Sequence, residues 1–246
     1  MFSDKKILSA LGEYKYLTEL HCHSNPASAC ANFPADEVVR TYSELGYDSL
    51  ALTNHYYIAA AHDGEDREKY FERYFDDYHI ARSEGEKVGV KVLLGLEIRF
   101  TDCLNDYLVF GISESEARDI LPHLTTLAQF RSEYKNENML VIQAHPYRDG
   151  MSEVDTSLLD GVEILNLHPG HNSRVAYAAR MSRTFDGVVT SGSDYHHAGM
   201  GGLGGIYTRE RIEDSIQLAR VLRSGDYLLD FGGYPVIPQA MERGNK

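Results

Sequence analysis

Six short apolar runs in this chain each end on a residue that can ligate a metal. YLTEL leads into His21 and His23, SLALT into Asn54 and His55, and VKVLLGL into Glu97; MLVIQA leads into His145, VEILNL into His168, and GVVTSGS into Asp194 and His196. A barrel of parallel strands gathers the carboxyl ends of its strands on one face, so ligands scattered along such a chain converge in space. The runs predict an active-site layout as well as a fold.

Strand-like runs alternate with helical stretches along the whole sequence. Residues 16–23 and 48–54 read as strands, with a helix between them from about Pro34 to Leu45, opened by proline and closed by Gly46. The tyrosine-rich stretch 66–87 has helical spacing at Tyr70, Phe71, Tyr74, Phe75 and Tyr78 and is expected to face the core. Strands are expected at 90–97, 106–112, 139–145, 161–168, 186–192 and 205–208, with helices over 114–134, 171–184 and 209–223 and a short apolar ending at 227–231. The alternation argues for a parallel sheet that closes, and with no linker or repeat the 246 residues read as one domain.

Composition narrows the partners. A net charge of −13, with 24 basic residues scattered among 37 acidic ones, disfavours a long nucleic acid and favours a small anionic substrate. No apolar run reaches the roughly 18–20 residues of a membrane span, and the stretch after Asp4, Lys5 and Lys6 is too short for a secretion signal, so a cytoplasmic address is expected. Cys22, Cys30 and Cys103 show no paired spacing and read as reduced thiols, with no thiolate zinc site suggested. GMGGLG (199–204) matches a dinucleotide fingerprint in letters only, because no helix follows it, and is expected to be a mobile loop beside the site.

Imidazole and carboxylate together bind zinc, manganese or iron. His21 and His23 lie two apart on an extended segment and so face one side; Asp194 and His196 repeat that spacing. Clustered divalent ions favour in-line displacement at phosphorus, and amide hydrolysis is open to a similar centre. His62, His79, His123 and His197 lack strand-end placement and are expected at the surface, with His171 at the start of a helix.

The ordered set ELHCHS (19–24), LTNH (52–55), GLE (95–97), AHP (144–146), EILN (163–166) and GSDYH (192–196) resembles the polymerase and histidinol phosphatase family, or PHP domain. The resemblance implies a distorted seven-stranded β/α barrel and a site for two or three divalent ions. It implies His21, His23, Glu97 and Asp194 as ligands of a first ion, Glu97 bridging to a second held by His145 with Asp106 nearby, and His55 and His196 for a third. Glu97, Asp194 and His196 are the expected catalytic residues, and Arg148, Arg99, Arg174 and His168 the expected substrate contacts. Two positions depart from the family pattern. Asn54 replaces an acidic residue, and SNPASAC (24–30) lacks the acidic or histidine residue expected in that loop. The third ion is therefore expected to be held weakly.

The activity implied is a metal-dependent phosphoesterase acting on a small phosphorylated metabolite, a phosphomonoester like histidinol phosphate. A nucleotide or oligonucleotide phosphoesterase and an inactive, metal-stabilised binding module are the alternatives.

Overall fold

The structure, a computed structural model, describes residues 12–61 and 65–238. The N-terminal lysines and His62 lie outside the described residues.

The strands are β1 (Tyr16–Glu19), β2 (Ser49–Leu52), β3 (His55–Tyr56), β4 (Lys91–Leu94), β5 (Leu96–Arg99), β6 (Asp106–Phe110), β7 (Leu140–Gln143), β8 (Gly161–Asn166), β9 (Val188–Gly192), β10 (Gly204–Thr208), β11 (Leu228–Phe231) and β12 (Tyr234–Val236). They form two six-stranded sheets in the orders β12-β11-β10-β1-β2-β4 and β3-β5-β6-β7-β8-β9. The expected parallel arrangement holds only in part, the strands forming a pair of mixed sheets. β1, β2 and β4 are parallel, as are β7, β8 and β9, but β10 is antiparallel to β1, and β6 is antiparallel to both neighbours. A buried strand shows the same apolar run in either direction, so these reversals leave no trace in the pattern.

The sheets adjoin beyond the ends of β1 and β9. The His23 N–H donates to the Tyr195 carbonyl at 3.0 Å, and the Tyr195 N–H to the His21 carbonyl at 3.3 Å. Elsewhere the chain passes directly from β2 to β3 through Thr53 and Asn54, and from β4 to β5 through Gly95.

The first helix, α1 (Ala35–Glu44), follows Pro34 and buries Ala35, Val38, Val39 and Tyr42, the one-sided spacing of an amphipathic helix. Asp36 and Glu37 in its first turn suit the positive end of the helix dipole. The second, α2 (Arg67–Val88), starts where the Asp66 side chain accepts from the Lys69 N–H and ends at the left-handed Gly89. Its Tyr70, Phe71, Tyr74 and Phe75 are buried, as the spacing predicts. Each such ring stabilises the fold by about 1.5–3 kcal/mol. The Tyr74 hydroxyl donates to the carbonyls of Asn54 (3.1 Å) and Gly95 (3.3 Å), tying the helix to both crossing points between strands.

The single helix expected over 114–134 is two, α3 (Glu114–Ile120) and α4 (Leu127–Glu133), separated by a 3-10 turn holding Pro122. Proline has no N–H to continue the ladder. Two later helices, α5 (Val175–Met181) and α6 (Ser215–Ser224), are shorter than expected.

Candidate metal centre

Side chains alternate faces along an extended segment, and that rule builds the centre. Cys22 and Tyr195 pair as a parallel bridge and bury into the core beneath α1. Their neighbours, His21 and His23 on one segment and Asp194 and His196 on the other, are thereby turned the opposite way, toward one another. Asp194 Oδ1 lies 3.4 Å from His21 Nε2, from His23 Nε2 and from His196 Nδ1.

Glu97, in the middle of β5, is the hub. Its Oε1 is 3.2 Å from both His21 Nε2 and His145 Nε2; its Oε2 is 2.9 Å from His55 Nδ1 and 3.4 Å from His23 Nε2. Three groups of donors result, each compact enough for one ion: His21, His23 and Asp194; His21, Glu97 and His145; His23, His55 and His196. Asp106 reaches the same face because β6 is reversed, which puts the beginning of that strand beside the carboxyl ends of its neighbours.

The electrostatics are those of a site built around cations. Burial opposes the charge on Glu97, yet the surrounding His21, His55 and His145 hold its carboxyl well below the usual range. Asp194 is held down likewise, against burial, by His21, His23 and Arg148. Burial and the neighbouring His196 drive His23 well below its ordinary value, keeping it neutral as a ligand must be. The atoms His21 Nε2, His23 Nε2, His55 Nδ1 and Glu97 Oε2 are buried and make no hydrogen bond among the described residues. Buried polar atoms are rarely left so, and facing one another at 2.9–3.4 Å they fit a divalent ion as the missing partner.

Outer contacts fix the rings. His21 Nδ1 is 2.9 Å from Glu163 Oε1, and Glu163 Oε2 accepts from the His145 N–H at 3.0 Å. His196 Nδ1 meets the Asp194 carbonyl at 2.8 Å, and His23 Nδ1 meets Ser28 Oγ at 3.2 Å. The bonds to His21, His196 and His23 each commit one ring nitrogen and leave the other for a metal, while Glu163 holds His145 by its backbone. His145 and Asp194 adopt left-handed backbone, φ 29° and 53°. Such conformations cost about 1–3 kcal/mol each and collect at functional sites. A Cβ on Gly192 would lie 2.5 Å from His21 Cβ and 2.7 Å from Glu163 Oε1, so only glycine lets β9 pass this close.

The expected ligands His21, His23, His55, Glu97, His145, Asp194 and His196 are brought together. Asp106 stands at the rim: Oδ2 is 3.9 Å from His145 Nε2, and Arg99 grips the carboxylate with two bonds of 2.7 and 2.9 Å. Arg99 is thus paired with Asp106, its guanidinium lying over the Tyr57 ring. Arg174 is held by the loop before it and also lines the cleft beside Arg148. It donates to the Tyr147 carbonyl at 2.6 Å and to Asp149, clamping that loop to the start of α5. Arg148 does enter the centre, donating to Asp194 and, at 2.8 Å, to Asn166 Oδ1, and its Nε has no partner among the described residues. His168 is buried, with its ring 5.5 Å from that of His196. Burial, with His171, His196 and Arg148 nearby, pushes its pKa down to about 4.

Asn54 does not face the metal groups. Its amide accepts from the Ser24 N–H at 2.8 Å and donates to Ser24 Oγ and Asp77 Oδ2 at 2.9 and 3.1 Å. His79 and His123 are at the surface, whereas His197 is half-buried. The glycine-rich segment is anchored: Met200 packs into the core beneath α1, and the N–H groups of Leu203 and Gly204 donate to Ser193 Oγ at 3.0 Å.

Sequence reasoning missed Glu163, although a carboxylate inside the apolar run GVEILN was an available signal.

A solved two-domain protein from Bacteroides vulgatus ATCC 8482, containing a predicted PHP-like metal-dependent phosphoesterase, superposes with a TM-score of 0.60 at 16% identity over 88% of this chain. The chain spans 64% of that protein's length. PsfC from Pseudomonas syringae PB-5123 superposes with a TM-score of 0.58 at 16% identity, over 94% of this chain and 96% of its own. No curated protein sequence matches. The PHP domain profile matches residues 19–200, which spans every expected ligand from His21 to His196. The chain belongs to the PHP domain family.

Proposed function

We propose that this protein is a metal-dependent phosphoesterase that hydrolyses a small phosphorylated metabolite, a phosphomonoester of the histidinol phosphate kind. The observation that carries the reading is Glu97, whose two oxygens face two different pairs of imidazoles across three overlapping donor groups. A carboxylate so placed can bridge two ions, and the family together with the Bacteroides vulgatus neighbour supports phosphoester chemistry.

When bound, divalent ions supply Lewis acidity and an activated water for in-line displacement at phosphorus. The chain's own residues arrange the rest. Glu97 and Asp194 provide the negative charge that draws two or three ions, whether zinc, manganese or iron, into one cluster. Arg148, with an unpartnered Nε beside Asp194, is positioned to take a phosphoryl oxygen. His168 Nδ1 accepts the Gly170 N–H at 3.0 Å, so the neutral ring carries its proton on Nε2 and can donate it in a hydrogen bond to substrate. An open cleft of about 690 Å³ begins at Arg148 and passes Tyr147, Arg174 and Tyr177, giving a small leaving group room.

The test is hydrolysis by protein stripped of metal and reloaded with manganese or zinc, against a panel of phosphomonoesters and diesters. Metal-dependent release of phosphate from monoesters is the expected result. Diester cleavage alone would move the reading to a nucleotide or oligonucleotide substrate, and metal binding without turnover of any ester would leave a binding module.

A further inference from the structure

His23 and His55 follow different strands, yet their ring centroids lie 4.7 Å apart and both belong to one group of donors with His196. Ser24 comes directly after His23, and Asn54 directly before His55. These two neighbours are joined: the Ser24 N–H donates to Asn54 Oδ1 at 2.8 Å, and Asn54 Nδ2 donates to Ser24 Oγ at 2.9 Å. Asp77, on α2 and only 2% exposed, closes the triangle. Its Oδ2 accepts from Ser24 Oγ and, at 3.1 Å, from Asn54 Nδ2. One turn earlier on α2, Arg73 donates to the Pro26 and Ala27 carbonyls at 2.9 and 3.0 Å, so the same helix also holds the loop that carries Ser28. Ser28 Oγ in turn lies 3.2 Å from His23 Nδ1 and accepts from the His55 N–H at 2.8 Å.

We propose that Asp77 is a positioning residue for His23 and His55, holding the two rings at the separation at which they can share one ion. The inference rests on the metal-dependent reading above and extends it to a helix that supplies none of the grouped donors. An amide can turn either end toward a neighbour, and an acceptor facing Nδ2 keeps Asn54 Oδ1 on the Ser24 N–H. A carboxylate offers acceptors only, so a single Asp77 oxygen fixes the Ser24 hydroxyl and the Asn54 amide together. Its charge strengthens both bonds, which an amide at this position would not do.

Zinc titration of metal-free protein, followed by NMR of the individual imidazoles, separates this role from a contribution to folding alone. Four proteins are compared: wild type, Asp77→Asn, the exchange of Asn54→Asp with Asp77→Asn, and Leu222→Ala. Leu222 is buried beside Leu140 and Val188, where β7 and β9 begin, and its truncation destabilises the fold without touching the triangle. In Asp77→Asn the zinc concentration that half-saturates the His23 and His55 signals is expected to rise about 10-fold, while that for His145 changes little. The exchange again sets a carboxylate against an amide and is expected to recover most of the loss; it also decides the matter should Asp77→Asn not fold. Leu222→Ala is expected to lower Tm and leave all the half-saturation points in place. A shift in Asp77→Asn no larger than in Leu222→Ala, one spread equally to His145, or an exchange variant that recovers nothing overturns the proposal and leaves the phosphoesterase reading standing. Failure of zinc to reach any of these rings in the wild type overturns both.

Discussion

Glu163 Oε1 lies 2.9 Å from His21 Nδ1, and both side chains are sealed from solvent. The carboxylate orients the ring so that Nε2 turns toward Glu97 and Asp194, at 3.2 and 3.4 Å. Its other oxygen holds the His145 N–H and accepts from Asn166 Nδ2 at 2.9 Å. One buried carboxylate thus positions candidate ligands that follow two strands lying far apart in sequence.

Glu163→Gln should weaken metal binding without removing a ligand. The amide puts an N–H₂ group where only acceptors serve, so either His21 or the His145 backbone loses its partner. Groups that orient ligands in this way are worth about 10–100-fold in metal affinity. Zinc titration by calorimetry reads the change, and unchanged affinity would reduce Glu163 to a packing residue.

Glu97→Gln should abolish turnover while leaving the fold intact. A neutral amide bridges two cations poorly, and the β5 backbone pairs with β3 and β6 whatever the side chain carries. Circular dichroism checks the fold, and elemental analysis after reloading should show fewer ions per chain. Wild-type stoichiometry and rate in the variant would refute the bridging role.

The candidate ligands were legible because a metal site needs particular atoms, and those atoms stand at the ends of apolar runs where the pattern is sharpest. Their partners were not. Arg99 reads as a spare cation until β5 and β6 are seen to be antiparallel, with Arg99 directly opposite Asp106. Arg174 is spent on a loop that comes close only in three dimensions. The reversed strands β6 and β10 carry the same buried run as parallel ones, so direction could not be read. The break in the helix after 114 was readable, since Pro122 stands in the sequence.

Asp77 should give the protein a stability term that depends on pH. Burial raises its pKa to about 6, against hydrogen bonds from Ser24 and Asn54 that favour the charge. A carboxyl raised above its unfolded value, near 3.9, binds its proton more tightly in the folded chain. Its contribution is therefore fully present below about pH 3.9 and is lost as pH rises through about 6. Asp77→Asn removes that titration. The difference in Tm between wild type and variant, followed from pH 4 to pH 7, should move against the wild type across this window. A constant difference would show that Asp77 does not titrate there.

The same network reverses the expectation for Asn54. Read from sequence alone, Asn54→Asp would restore a carboxylate near the third ion and tighten its hold. In the structure the Asn54 amide faces Ser24 and Asp77, with Nδ2 3.1 Å from Asp77 Oδ2. A carboxylate there would set two acceptors against each other in a buried site, and one must take up a proton or lose its partner. Leaving a buried polar group unsatisfied costs about 1–3 kcal/mol, more where charge is involved. Asn54→Asp should therefore lower stability, and by more at pH 8 than at pH 5, where Asp77 is the more readily protonated. Affinity for the ion near His55 and His196 should not rise. Denaturant unfolding at the two pH values, together with zinc titration, reads both effects. Tighter metal binding at undiminished stability would return Asn54 to the metal centre.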